Sequence, residues 1–403
     1  EQTTTRPPTP VAIPLPLDVA ATLAADTHPL VEAAEAEATA LGAELKGARR
    51  GRYPNLSVEA LAATSGSSFA DQDGLALNAS IEQPIWTGGR INGSIARARA
   101  NLRAGEGRVD QAQRQIVNEV VRAYYDYVQA DQRLGVLKES LRKQNELLES
   151  IERRVKQEVS PLTDLTLGRS RTAQVELDVQ TTSELLEVAR LRLFELTGGY
   201  AAEPTLPPPS VVETLPPEDI ALAEAMACDP SLDVLTNLVA ASEAERDIAK
   251  AQLLPQLLFQ LSQNEITGAR AAVVLRMQLG NGAAEFTAIE SSDARIKRAL
   301  AEFGEAQRRK REELRREYIQ VRRSTGRIDV GAAAADAADQ IVASYRRQFI
   351  AGRRSWLDVM NAVREAGSAR LTESDARVAT AAGSARILAL TCRWQPDVAE
   401  AAQ

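Results

Sequence analysis

Few side chains in this sequence are equipped for chemistry. The chain of 403 residues carries one histidine, His28, and two cysteines, Cys228 and Cys392. One imidazole leaves almost no room for a histidine-based metal site or a nucleophile–histidine pair. No G-x-x-x-x-G-K-S/T, H-E-x-x-H or G-x-S-x-G motif occurs. No other catalytic cluster replaces them, so no enzyme activity, metal or cofactor is expected. The two cysteines are too few for a disulfide scaffold, but they can form one bridge in an oxidising compartment. Against 55 Asp+Glu stand 48 Lys+Arg, and the net charge of -7 argues against nucleic acid as a partner.

The surrounding chain does not look like an enzyme scaffold either. Aromatic residues make up 4% of it, against 44% for the broad apolar class, less aromatic mass than an ordinary globular core of this size holds. The absence of an apolar run of 18 residues means no transmembrane helix, but a membrane β-barrel gives a much weaker signal per strand. The chain starts at Glu1 without Met or an apolar leader, as a processed exported chain or a trimmed one does.

Residues 1–16 are rich in Thr and Pro and read as an extended arm. A helix is expected from Leu17 to Arg50, interrupted at Asp26 to Pro29 and ended by Gly51. The period then changes to two: Leu56, Val58, Ala60 and Ala62, then Leu75, Leu77, Ala79 and Ile81, alternate with other residues across a β-hairpin at about 54–84. Such a hairpin is either a half-buried soluble one or one of membrane-spanning length. A long helical hairpin at about 86–198 follows, its first helix running to about Glu158 and its second from Thr163 to Leu196. Leu134, Leu137, Leu141, Gln144, Leu148, Ile151 and Val155 follow heptad spacing in it. Seventy-odd residues at 1.5 Å each make roughly 110 Å of helix, so an elongated object is expected rather than two or three globules.

A Pro-rich linker, 201–217, separates this first repeat (17–200) from a second (218–392) built to the same plan, with a tail at 393–403. Asp229-Pro230 matches His28-Pro29, and Pro255 matches Pro54, each 201 residues on. The second β-hairpin is expected at about 253–280 and the second helical hairpin at about 284–390, with Ile296, Leu300, Phe303, Leu314, Val321 and Ile328 in the helix seam. The duplication is the strongest inference from the pattern. Each chain supplies four strands, too few to close a membrane barrel, and open sheet edges cannot sit in lipid. If the strands enter a membrane, several chains must share one barrel, and three would give twelve strands.

Two stretches carry a family resemblance. Gln83-Pro84-Ile85-Trp86-Thr87-Gly88-Gly89-Arg90 lies at the first strand-to-helix junction, and Gly352-Arg353-Arg354-Ser355-Trp356-Leu357-Asp358-Val359-Met360-Asn361 at the second helical turn. With the duplication, they make the chain resemble an outer-membrane factor of the TolC family over about residues 17–392. The resemblance implies a fold that is mainly α with β: long antiparallel coiled-coil hairpins forming a periplasmic tunnel, and a shared 12-stranded outer-membrane barrel in a homotrimer. It implies end-on docking to a periplasmic adaptor (a membrane fusion protein), and through it to an inner-membrane pump or ABC transporter. The implied function is an exit duct for efflux or type I secretion, with outer-membrane lipid around the barrel and no chemistry of its own.

The resemblance also assigns residues. The two turns align at an offset of 194, pairing Asp164 with Asp358 and Leu162 with Trp356. The family's aperture aspartate falls on this pair, and a ring of like charges at a constriction can bind cations. A second aspartate of the family is Asn361 here, which weakens such a ring. Arg354 matches an arginine that ties neighbouring helices closed, with Thr163 and Asp164 as its partners, and Phe349 stands where the family can have a tyrosine. Thr163 and Asp164 could equally be helix caps, and Arg354 a solvated turn residue. Ser160, Pro161 and Leu162 in one turn, and Ala351, Gly352 and Arg353 in the other, are the expected adaptor contacts. Trp356 is either a packing residue or a further contact. Gly352 is expected to hold a positive φ, and Glu158 stands at the corresponding position of the first turn. Gly88 and Gly89 mark the strand–helix junction, with Trp86 as lipid–water anchor or barrel-to-tunnel plug. Cys228 and Cys392 fall near the tunnel's equator, where the oxidising periplasm permits a bridge; two buried free thiols are the alternative. The rival to a duct is a soluble periplasmic coiled-coil scaffold or adaptor, but the lipoyl-like and barrel domains of adaptors are missing from the sequence.

Overall fold

The computed structural model describes residues 10–63, 74–264, 268–277 and 284–396. The chain is mainly α-helical with one small antiparallel sheet. In order it contains α1 (Leu15–Thr27), α2 (Pro29–Arg50), β1 (Asn55–Ala63), β2 (Gly74–Trp86), α3 (Arg90–Lys156) and α4 (Leu162–Leu196). A 3₁₀ turn (Pro209–Thr214) leads to α5 (Glu218–Cys228), α6 (Pro230–Ala251), β3 (Gln256–Asn264), β4 (Gly268–Arg276), α7 (Ala284–Ile350) and α8 (Trp356–Leu390). Among the described residues no helix is long and apolar enough to cross a membrane. Parts of several expectations fall outside the described residues: the start of the N-terminal arm, the tip of the first β-hairpin, residues 265–267 and 278–283 in and after the second, and residues 397–403 of the C-terminal tail.

The two halves match element by element. α3 and α7 each have 67 residues, α4 and α8 each 35, and α2 and α6 each 22. Pro29 and Pro230 open α2 and α6, where a missing N–H costs nothing. From α2 to α6 and from β1 to β3 the offset is 201; from β2 to β4, α3 to α7 and α4 to α8 it is 194. The step of seven falls in the hairpin tips, since ten residues separate β1 from β2 and three separate β3 from β4.

The chain divides into two compact units, 1–31 with 112–229 and 309–403, and 32–111 with 230–308. The second unit holds the sheet, whose strand order is β1-β2-β3-β4 with every neighbouring pair antiparallel. Directly opposed residues share a face, and the registers sort the strands cleanly. Leu56, Ile81, Leu261 and Ala271 make one rung, and Gln83, Phe259 and Val273 make another on the same side. Asn55, Glu82, Gln260 and Ala272, then Ser57, Ser80, Ser262 and Arg270, make rungs on the opposite side. A 2.7 Å hydrogen bond joins the Ser57 and Ser80 hydroxyls. One face is therefore predominantly apolar and the other polar, and the apolar one is uncovered: Leu56, Val58, Val273 and Leu275 are all exposed.

In the first unit the helices pack through small residues. Leu314, Val321, Ser324, Ile328, Gly331, Ala335 and Ala338 form a buried line along α7. A Cβ at Gly331 would stand 3.2 Å from the Cα of Glu373 in α8, and one at Gly383 would stand 2.5 Å from Val321 Cγ2. Close approach of α7 and α8 thus replaces bulk, which accounts for the low aromatic content. The expected seam of α3 is shifted in part: Leu134, Gln144 and Ile151 are buried, but Ser140 and Leu147 are buried where Leu141 and Leu148 stay half-buried. A straight helix drifts against a strict heptad in this way. Leu300, expected in the seam of α7, is 52% exposed.

The two shorter partner helices are covered very differently. Nineteen of the 35 residues of α8 are buried, against five of 35 in α4. Leu177, Leu185, Val188 and Leu191 of α4 are left open, as are Ile319, Val330 and Ile341 of α7, which recur every 11 residues. The Pro-rich linker is packed rather than free. Val211 and Ala202 are buried, and the Tyr124 hydroxyl donates to Thr205 O at 3.1 Å and accepts from Thr205 N at 3.0 Å. Burial raises the pKa of that phenol.

Candidate gating turns and the strand-to-helix junction

The first turn joins α3 to α4, and the second joins α7 to α8. Both belong to the first unit and share one apolar cluster: Leu147, Ile151, Leu165, Phe349, Trp356, Val359 and Met360. Gly352 takes φ 71°, and Glu158, its counterpart 194 residues earlier, takes φ 61°. Left-handed backbone is cheap for glycine and strained for glutamate. Glu158→Gly is therefore expected to stabilise the fold by about 0.5–1 kcal/mol, read as a raised thermal midpoint; a lowered midpoint would show that the side chain matters more than the backbone.

The turns differ in their caps. Ser355 accepts a hydrogen bond from the Asp358 N–H at 3.2 Å and bonds the Asp358 carboxylate at 2.9 Å. Pro161 at the start of α4 has no side-chain cap. Thr163 is exposed and Asp164 half-buried in the first turn of α4, where a negative charge suits the helix dipole. Ser160 is half-buried, and Pro161, Leu162, Ala351, Gly352 and Arg353 are exposed.

Arg354 is held within its own turn. Its guanidinium lies over the Tyr345 ring at 4.1 Å, its Nε donates to Gln348 at 3.4 Å, and it stands 3.8 Å from Asp358. Within the chain it is not brought onto Thr163 or Asp164 by any described contact. The tie between α4 and α8 is Arg171, which donates to Asn361 Oδ1 at 2.6 Å. Phe349 and Trp356 are each 6% exposed and pack in the shared cluster, and the Arg154 guanidinium lies 5.1 Å from the Phe349 ring centre. Burial makes Trp356 a packing residue, whereas Leu162, its counterpart, is 68% exposed. Sequence reasoning missed Arg154, Arg171 and Tyr345. Tyr345 had a local signal, lying one helical turn before Phe349; the two arginines lie on other helices from their partners and had none.

At the junction in the second unit, β2 runs past the expected end at about 84 to Trp86, with a bulge between Pro84 and Trp86. A bulge is where a strand tolerates proline. Gly88 and Gly89 then take φ 60° and 96°, and the Gly93 N–H donates to Gly89 O at 2.8 Å to begin α3. Thr87 is buried, and Trp86 is 48% exposed. A Cβ at Gly88 would meet Leu254 Cβ at 2.7 Å and Ala251 O at 3.2 Å.

Cys228 and Cys392 are joined by a disulfide with their Cα atoms 6.5 Å apart, and Arg114 donates to Cys392 Sγ at 3.0 Å. The residues beyond the bridge are fastened too. Arg393 pairs with Glu224 through two 2.8 Å bonds, and the buried Trp394 donates to Asp18 at 2.7 Å. Nearby, Lys310 bonds the buried Asp229 at 2.7 Å; burial opposes its charge, but the Asp229 and Glu313 carboxylates outweigh burial and raise its pKa.

Comparison with known proteins places this geometry. Residues 21–199 match the family of outer membrane efflux proteins. A search of curated proteins gives no significant match. The outer-membrane channel OprN shares the fold with a TM-score of 0.81 at 16% identity, over 94% of this chain and 91% of that one. VceC from Vibrio cholerae gives 0.78 at 17% identity, over 93% and 96%. The open state of the MtrE outer-membrane channel of Neisseria gonorrhoeae gives 0.77 at 15%, over 95% and 90%. The family match covers most of the first repeat, and over nearly its whole length the chain has the fold that these outer-membrane channels share.

Proposed function

We propose that this chain is the outer-membrane exit duct of a tripartite efflux or type I secretion system, receiving substrate from a periplasmic adaptor and an inner-membrane transporter. The observation that carries this reading is the sheet. Four strands with one uncovered apolar face, one polar face and two open edges make neither a soluble core nor a complete barrel. In lipid every backbone group needs a partner, so the edges must pair with other copies. Three copies supply twelve strands, with apolar faces toward lipid and polar faces lining the bore. The open apolar side chains of α4 and α7 give such copies a second area of contact.

In this reading the two helical turns form the periplasmic end. Asp164 and Asp358 line the aperture, and Thr163, Phe349, Arg354 and Asn361 surround it. Ser160, Pro161, Leu162, Ala351, Gly352 and Arg353 meet the adaptor, and Trp86 lies at the lipid–water boundary. Native mass measurement in detergent tests the core of the reading: a trimer that dissociates on heating is expected, and a water-soluble monomer would sink it. Reconstituted in planar bilayers, the trimer should conduct, and Asp164→Asn with Arg354→Ser should raise its single-channel conductance several-fold. Arg354 holds its turn through Tyr345, Gln348 and Asp358, so unchanged conductance would remove these two residues from the gate.

A further inference from the structure

The sheet's two free edges, β1 and β4, are each nine residues long. The four strands contain four charged residues in all: Glu59, Glu82, Arg270 and Arg276. Two of them satisfy each other on the polar face, where the Arg276 guanidinium makes two 3.3 Å bonds to the Glu82 carboxylate. The other two are exposed, and neither has a hydrogen-bond or ion-pair partner among the described residues.

Their placement is specific. Arg270 on β4 shares the rung of Ser57, Ser80 and Ser262, and Glu59 on β1 lies on the next rung of the same face, opposite Asn78. They stand on opposite edges. Within one sheet three strand spacings of about 4.8 Å keep them some ~14 Å apart, too far to pair. Each is positioned instead to meet whatever joins its edge.

We propose that Glu59 of one chain pairs with Arg270 of a second copy across each β1–β4 seam of the shared barrel, and that this pair sets the seam's register. The proposal rests on the barrel reading above. The face pattern alone cannot set register. A slip of one residue would turn Glu59 into lipid and is excluded by the apolar face, but a slip of two restores every side chain to its proper face. Opposite charges on the two joining edges break that degeneracy, because adjacent or diagonal partners attract and more distant registers leave both unpaired. The bore-facing side is where such a pair avoids the cost of charge in lipid.

Charge reversal in the full-length protein tests this. Glu59→Arg or Arg270→Glu alone should lower the temperature at which the trimer dissociates on unheated-sample gels by several degrees, and the double reversal should recover most of the loss. Additive losses in the double variant would overturn the pair. Because a reversed variant can fail to assemble, a second measurement uses Glu59→Cys with Arg270→Cys and a short bis-maleimide. Covalent dimers and trimers are expected from the double variant and none from either cysteine alone. An intact trimer without crosslinks, or stronger crosslinking of Asn55→Cys with Arg270→Cys, would refute the seam pair while leaving the barrel standing. A wild-type chain that is monomeric in detergent would instead refute the barrel reading beneath it.

Discussion

Replacing Cys228 and Cys392 together by serine lowers stability by about 5 kcal/mol if the bridge acts on the unfolded chain, because it closes a loop whose ends are 164 residues apart. The folded state gives no reason to expect collapse. Arg393 still pairs with Glu224, and Trp394 still donates to Asp18. Arg114, which donates to Cys392 Sγ at 3.0 Å, finds a serine hydroxyl in place of sulfur. The loss is therefore expected mainly through the freedom returned to the unfolded ensemble. The measurement is the thermal midpoint of the full chain, which should fall by about 6 °C. Reduction of the wild-type protein with a dithiol should reproduce the fall, and the same treatment should leave the serine variant unchanged. A midpoint indifferent to both would show that the surrounding contacts, not the bridge, hold α5 and the end of α8.

The same neighbourhood shows where sequence reading runs out. The ends of α7 and α8 were legible because α7 keeps an apolar seam through Leu314, Val321 and Ile328 and stops where the turn glycine, Gly352, supplies a positive φ. The duplication was legible because both copies kept their prolines and helix lengths. Ion pairs between helices leave no such trace. Arg370 donates to Asp339 and Asp336, 31 and 34 residues away, and to Glu373 three residues on. Those bonds, the Asp339 one foremost, raise its pKa. Only the Glu373 contact has helical spacing; the others depend on α7 and α8 lying close, which Gly331 and Gly383 permit. Arg171 and Asn361 are 190 residues apart, so the position at which the family resemblance suggested a lost charge is in fact an acceptor for an arginine on another helix. Period tells which face of a helix is buried, but not which charged side chains meet across it.

The bulge beside Pro84 and the glycines after it give the second large expectation. Gly88→Ala is expected to destabilise the fold by about 3 kcal/mol, combining about 1 kcal/mol or more for left-handed backbone with about 1–3 kcal/mol for overpacking. Two independent observations add here. Gly88 has φ 60°, and an added Cβ would stand 2.7 Å from Leu254 Cβ and 3.2 Å from Ala251 O. A Cβ and a backbone oxygen cannot rotate away as a side-chain tip can, so the end of α6 or the turn itself must shift. Gly89 separates the two causes. It also has a positive φ, 96°, but no atom lies within 4 Å of where its Cβ would be. Gly89→Ala should therefore show backbone strain alone and cost less than Gly88→Ala. The comparison of thermal midpoints is the test, and equal losses would assign the effect to backbone conformation rather than close packing. In the duct reading this turn carries the chain from barrel strand to tunnel helix, so Gly88→Ala should also reduce the trimer recovered from the outer membrane. Full trimer yield beside a lowered midpoint would mean that assembly tolerates a displaced turn.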